Sequence, residues 1–259
     1  MDTRDPTPAT APAPLGRRLA AEAVGTGLLV TAVVGSGIAA ARLSPSDVGL
    51  QLAENAAATG AALAVIILLV GPVSGAHLNP LVSLADWWLG RPTRRAGLTL
   101  AEVGAYTGAQ VAGGVGGAVL ANLMYDLPAI TWSTTRRTGG HLWLSEAVAT
   151  AGLVAVVFAL ARTGRAALSA ATVGAYIAAA YWFTSSTSFA NPAVTLARAG
   201  TDTFAGIAPA SLAGFIAAQA VGAAVGAVGT RLLYPDLPTA AIAVAVPDQP
   251  TASTDGRRR

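Results

Sequence analysis

The sequence predicts an all-α membrane protein with six transmembrane helices and two re-entrant half-helices, arranged as an inverted repeat. Three observations predict it. The 259 residues are 53% hydrophobic and only 11% charged, with a mean hydropathy of +0.57; a soluble domain carries about 25% charged residues. Apolar runs near the ~20 residues that a bilayer-crossing helix needs recur along the whole chain. Asn-Pro occurs twice, each time closing such a run: Ser74-Gly75-Ala76-His77-Leu78-Asn79-Pro80-Leu81 and Ser186-Thr187-Ser188-Phe189-Ala190-Asn191-Pro192-Ala193.

In chain order, residues 1–16 are rich in Pro, Thr and Ala without an apolar signal region, and are expected to form a disordered cytoplasmic lead. A membrane domain is expected over 17–234, its first repeat about 17–123 and its second about 141–234. The spans read as 19–41, 50–70, 98–122, 142–161, 166–183 and 209–233. Residues 235–259, rich in Pro and Asp and ending Arg257-Arg258-Arg259, are expected to be a disordered tail.

The half-helices are expected over 81–89 and 193–199. Asn is a preferred helix N-cap, because its side-chain oxygen accepts from orphan N–H groups of the first turn. Pro suits the first helical position, where no N–H is needed. Asn-Pro within apolar sequence therefore predicts a helix that starts inside the membrane. The segment from Asn79 to Leu89 spans about 16 Å at ~1.5 Å per residue, so two tip to tip approach the ~30 Å hydrocarbon thickness.

The repeat sets these segments in register. Ala21-Glu22-Ala23-Val24-Gly25-Thr26 opens the first span and Ser145-Glu146-Ala147-Val148-Ala149-Thr150 the fourth. The third carries Tyr106-Thr107-Gly108-Ala109-Gln110 and the sixth Phe215-Ile216-Ala217-Ala218-Gln219. Each half has an odd number of spans, so the second half is inserted upside down, a transport architecture. Gly113/Gly117 and Gly222/Gly226 are small-xxx-small pairs suited to close helix crossings in lipid. All sixteen basic residues are Arg. With both termini inside, twelve are cytoplasmic (Arg4, Arg17, Arg18, Arg91, Arg94, Arg95, Arg162, Arg165, Arg231 and Arg257 to Arg259) and four are outside (Arg42, Arg136, Arg137, Arg198), as the positive-inside rule asks.

On Glu22 with Gly25-Thr26, the two Asn-Pro signatures, Gln110, Gln219 and Glu146, the chain resembles the major intrinsic protein superfamily, the aquaporins and aquaglyceroporins, over residues 17–233. The resemblance implies a homotetramer with one pore per subunit, and a pore signature of Asn79, Pro80, Leu81, Asn191, Pro192 and Ala193. Two positions depart from the family pattern. Leu81 stands where Ala is usual. Val194 stands where most members place the filter Arg, and its counterpart in the first half is Val82. Arg198, one turn further, is a candidate substitute. By spacing from the Asn residues, the other filter positions are Thr59, Ala179 and Ser188, so Thr59, Ala179, Ser188 and Val194 make a ring of small, mostly uncharged side chains, expected to be wide. The chain resembles a bacterial branch lacking the filter Arg, for which arsenic-related solutes are implied.

The expected mechanism is one of backbone physics. Helix N-termini carry roughly half a positive charge and unsatisfied N–H groups, so two facing tips disfavour cations. Asn79 and Asn191 would offer amide donors to a passing oxygen. The carbonyls of Gly75, Ala76 and His77, and of Thr187, Ser188 and Phe189, would offer acceptors, because irregular backbone at this depth must line a cavity or be buried in protein. Glu22 and Glu146 are expected to accept from the N–H groups of the re-entrant loops, with Gln110 and Gln219 stabilising the same loops. His77 reads as a loop-stabilising or pore-mouth residue, with a pH gate as the alternative. Trp87-Trp88 reads as an interfacial anchor, and Tyr181, Trp182 and Phe183 as an outer aromatic belt from which one ring could narrow the vestibule.

Cysteine is absent, which excludes disulfides and thiolate metal sites. No nucleophile–base pair, metal cluster or phosphate loop is visible, so no enzyme, cofactor, metal or nucleic-acid partner is expected. The expected function is passive passage of water and small uncharged solutes, glycerol-like polyols and neutral metalloid species such as arsenite, across a plasma (inner) membrane. The alternatives are a water-selective pore and a proton-coupled secondary transporter using Glu22 and Glu146.

Overall fold

The computed structural model describes residues 12–90 and 97–235. The bulk of the expected lead and tail, and Arg4, Arg91, Arg94, Arg95 and Arg257 to Arg259 of the topology assignment, lie outside the described residues. Among the described residues there is no strand. The helices run α1 (Leu15–Leu43), α2 (Val48–Ser74), α3 (Pro80–Gly90), α4 (Leu100–Met124), α5 (Gly140–Arg162), α6 (Ser169–Phe183), α7 (Pro192–Ala197) and α8 (Leu212–Leu233). Five of them, two extended by a short 3₁₀ turn at the start, are long and apolar enough to cross a membrane. The sixth span, α4, is diluted by glycine and by Glu102, Gln110 and Asn122. Its place depends on packing more than on its own hydropathy.

Local chemistry sets the helix starts. Asp47 caps α2 by accepting from Leu50 N at 2.9 Å. Thr99 and Glu102 form a capping box on α4, so two orphan donors are satisfied reciprocally. α2 ends at Gly75, whose φ of +88° is left-handed, a conformation that favours glycine.

The halves pack equivalently. α1 lies against α4 as α5 lies against α8, while α2 meets α6 across the halves. The glycine pairs make the two equivalent crossings. A Cβ added at Gly117 would stand 2.1 Å from the Gly27 carbonyl oxygen, and one at Gly222 2.2 Å from that of Ala147. Backbone therefore touches backbone at both crossings, as small-residue seams in lipid allow. The arginines separate by end. Arg18 pairs with Glu102, and Arg162 donates to the Tyr234 carbonyl, at the end where α1 begins and α8 finishes. Arg42 donates to the Tyr125 carbonyl at the other end, at 2.8 Å.

Candidate functional site

The two short helices, α3 and α7, start where the chain turns back inside the bundle. Asn79 Oδ1 accepts from Leu81 N at 2.9 Å, and Asn191 Oδ1 from Ala193 N at 3.0 Å and Val194 N at 3.3 Å. Both oxygens are therefore caps. Each amide nitrogen crosses to the opposite half. Asn79 Nδ2 donates to the Ala190 carbonyl at 2.8 Å and Asn191 Nδ2 to the Leu78 carbonyl at 2.7 Å. An amide NH₂ has two protons, so one N–H of each holds the tips together and one remains. Pro80 and Pro192 open the helices that follow.

The loops that reach these tips are strained in register. Ala76, Leu78, Ser188 and Ala190 have φ of 49°, 52°, 49° and 49°, and Gly75 and Thr187 are also positive. Left-handed backbone at a non-glycine residue costs of order 1–3 kcal/mol and persists where the surroundings over-determine it. Here a buried carboxylate does so in each half. Glu22 accepts from Ser74 Oγ (2.7 Å), His77 N (3.0 Å), Leu78 N (2.7 Å) and Gln110 Nε2 (2.7 Å). Glu146 accepts from Ser186 Oγ (2.6 Å), Phe189 N (2.9 Å), Ala190 N (2.9 Å) and Gln219 Nε2 (2.6 Å). Both carboxylates are fully buried, and four donors each offset the cost of an acid at that depth.

Ser83 and Thr195, for which the sequence alone suggests no role, brace the same glutamines. Gln110 Nε2 donates to Ser83 Oγ at 3.2 Å and Gln219 Nε2 to Thr195 Oγ1 at 2.9 Å. Each sits four residues after its Asn, so the register that aligns the Asn-Pro pairs also aligns these hydroxyls. His77 Nδ1 lies 3.0 Å from Ser83 Oγ, and Tyr106 Oη donates to the Ser74 carbonyl at 2.9 Å.

A cavity of about 70 Å³ runs past the tips. At roughly 10–15 Å³ of such space per water, it holds a short file of them. Asn79, Asn191, Gly75, Ala76, His77, Ser188 and Phe189 line it. Apolar side chains, among them Leu29, Val33, Leu63, Leu153, Val157 and Val173, make up much of the rest. Thr187, Leu81 and Ala193 are not among the lining residues. Leu81 instead faces a separate groove between α3 and α8. Ala193 packs at Gly114 of α4, where an added Cβ would stand 3.4 Å from its carbonyl oxygen.

The proposed ring needs one correction. Thr59, Ser188 and Val194 line the cavity, but Ala179 is exposed on the far side of α6. The residues of α6 that line it are Ser169, Val173, Ile177 and Tyr181, spaced by four along one face. Ala179, two residues past Ile177, lies about 200° around the helix at 3.6 residues per turn. Counting back from Asn191 loses this phase across the irregular loop 184–190. Arg198, the candidate substitute for the filter Arg, lines the same cavity.

Arg198 follows α7 and is 2% exposed, a favourable place for a cation at a helix C-terminus. Its Nε donates to the Ala205 carbonyl, and its guanidinium carbon lies 3.3 Å from the centroid of the Phe189 ring. A second arginine supports that ring. Arg137 stands 5.2 Å from the same centroid, with Nε donating to the Gly206 carbonyl at 2.9 Å. Burial lowers the Arg137 pKa, opposed by Glu146 and Tyr181; an arginine starts so high that it stays charged. Tyr181, 2% exposed, donates to Thr59 Oγ1 at 3.3 Å. Trp182 and Phe183 are exposed, as belt residues are.

The chain is similar to known membrane channels. The family profile described as "Major intrinsic protein" matches residues 11–190. Aquaglyceroporin AqpS of Rhizobium meliloti (strain 1021) is 54% identical over 209 residues, 81% of this chain and 86% of that protein. Propanediol uptake facilitator PduF of Citrobacter freundii is 36% identical over 105 residues, covering 40% of this chain and 36% of its own. The X-ray structure of the aquaglyceroporin from Plasmodium falciparum superposes with a TM-score of 0.63 at 22% identity, covering 85% of this chain and 96% of that one.

Proposed function

The chain belongs to the major intrinsic protein family, whose members are multi-pass membrane channels and not enzymes, and from that premise we propose that it passes water and small uncharged hydroxylated solutes. The solute class is glycerol-like polyols and neutral metalloid acids such as arsenite. The observation that carries this reading is the pair of Asn amides, tied tip to tip at 2.8 and 2.7 Å beside the cavity that both line. Each amide keeps one donor for a passing oxygen, and the carbonyls of Gly75, Ala76, His77, Ser188 and Phe189 accept from its hydrogens. The apolar wall of Leu29, Leu63, Leu153 and Val157 suits the carbon side of a polyol. Such a pathway favours neutral hydrogen-bonding solutes over ions. A relative named as an aquaglyceroporin and another named as a propanediol facilitator support the same class.

Val194 leaves room in the outer ring, and Arg198 supplies the ring's positive charge from one turn further along. Both termini are cytoplasmic in a plasma (inner) membrane, and the working assembly is a homotetramer with one pore per subunit. The test is a flux panel of water, glycerol, urea and arsenite on purified protein in proteoliposomes. Fast glycerol and arsenite entry is expected, and entry no faster than in empty liposomes overturns the reading.

A second reading, the water-selective pore, is favoured by one observation: the bulky side chains of Tyr181 and Arg198 both line the cavity. Fast water with no glycerol movement selects it. The proton-coupled reading has less support, because Glu22 and Glu146 each already accept from four donors.

A further inference from the structure

The inverted repeat produces two equivalent contacts between a short helix and a long one, and they differ. In the first, α7 packs on α4 at Gly114, where an added Cβ would stand only 3.3 Å from Ala197 Cβ. In the second, the residue four beyond the buried glutamine is Ala223 instead of a glycine, and α3 stands off α8. A groove of about 340 Å³ remains between Leu81, Leu84 and Trp88 on α3 and Ala223, Ala227 and Val228 on α8. It is separate from the solute pathway, and Leu84 and Val228, 40% and 46% exposed, open it to the outside of the bundle.

Its position and chemistry identify an occupant. The groove lies on the apolar exterior of a membrane-spanning bundle, where the surrounding solvent is hydrocarbon chain. It runs toward the end where α3 and α8 both finish, and there Arg231 places its guanidinium 5.7 Å from the Trp88 ring centroid. Arg231 is exposed and has no carboxylate partner among the described residues. Arg162 lies near enough to add to the positive field. An apolar slot ending at an unneutralised cation matches one molecule of the bilayer in both parts. We propose that the α3–α8 groove is a binding site for an anionic glycerophospholipid, one acyl chain lying against Trp88 and Ala227 and the phosphate on Arg231. Arg-bearing pockets at the cytoplasmic end of transmembrane helices bind such headgroups by charge.

The test is tryptophan quenching in full-length protein that keeps Trp88 as its one tryptophan, with Trp87, Trp132, Trp143 and Trp182 replaced by Phe. It is reconstituted in vesicles of phosphatidylcholine carrying either brominated phosphatidylglycerol or brominated phosphatidylcholine. One arginine near an anionic headgroup gives about a fivefold preference, from ~1 kcal/mol. Quenching by the brominated anionic lipid should exceed that by the zwitterionic one accordingly. Arg231→Gln should abolish the difference, and Ala227→Phe, which fills the groove, should reduce quenching by both lipids. Solute flux should stay unchanged in both variants. Equal quenching by the two lipids, a preference that survives Arg231→Gln, or a Trp88 shielded from both lipids by a second copy of the chain would each overturn the proposal.

Discussion

Asn79 and Asn191 each donate to a carbonyl in the loop that carries the other, at 2.8 Å to Ala190 and 2.7 Å to Leu78. The same side chains cap α3 and α7 with their oxygens. Each amide thus starts its own helix and fastens it to the opposing one. The two halves of the repeat, 112 residues apart at this point, become one rigid pathway.

Asn191→Asp separates these roles. The carboxylate retains the cap acceptor but loses the donor, which leaves the buried Leu78 carbonyl unpaired. Destabilisation of about 1–3 kcal/mol is expected, the usual cost of an unsatisfied buried group. Water permeability should fall with it. Thermal unfolding in detergent and stopped-flow shrinkage of proteoliposomes measure the two; unchanged values in both would show that the cross-tie has no role.

Glu146→Gln tests whether the buried acids are braces or proton carriers. Gln keeps one acceptor oxygen and points an NH₂ at donors from Phe189, Ala190 or Gln219. At ~1–3 kcal/mol per unsatisfied donor, at least about 2 kcal/mol of stability should be lost. Uptake in the folded fraction should show no dependence on a pH gradient. A stable variant that loses gradient-driven uptake would instead establish coupling.

Arg198→Leu should weaken the barrier to cations. At ~10 Å and an effective dielectric near 20, a unit charge raises the energy of a passing cation by about 1.7 kcal/mol, more than tenfold in rate. Planar-bilayer conductance for K⁺ reads this directly. Conductance that stays at background assigns the barrier to the helix tips alone.

Val194→Arg should narrow the cavity, which Tyr181 and Arg198 also line. Glycerol and arsenite flux should drop by about tenfold or more, and water flux by less, because pore diameter limits the larger solutes first. Undiminished glycerol flux would place the constriction elsewhere.

Gly117→Ala tests the packing of the repeat. An added Cβ would stand 2.1 Å from the Gly27 carbonyl oxygen, so α1 and α4 must separate. Overpacking of this kind costs roughly 1–3 kcal/mol. Gly116, with nothing within 4 Å of an added Cβ, is the control: Gly116→Ala should leave the unfolding temperature unchanged.

Much of this architecture was legible in the sequence, because the signals are local. A run of apolar residues, an Asn before a Pro and a Glu within an apolar span each constrain structure within a few residues. The expected half-helices at 81–89 and 193–199 differ from the observed α3 and α7 by at most two residues at either end. The duplicated register then placed the glutamates and glutamines beside the loops they brace.

What the sequence left open depends on the phase and reach of side chains. α6 is apolar on every face, so periodicity cannot tell which stripe meets the pore; packing against α2 turned Ile177 and Tyr181 inward and Ala179 out. Arg198 is read along the chain as one turn too far. Only the fold brings the Phe189 ring and the Ala205 carbonyl to either side of its guanidinium and holds it at the cavity. Capping and hydropathy act between neighbours in sequence, and so the chain alone determined the spans and the helix tips. Which side chains share the lumen is a matter of contacts between segments far apart in the chain, and those exist only once the bundle has closed.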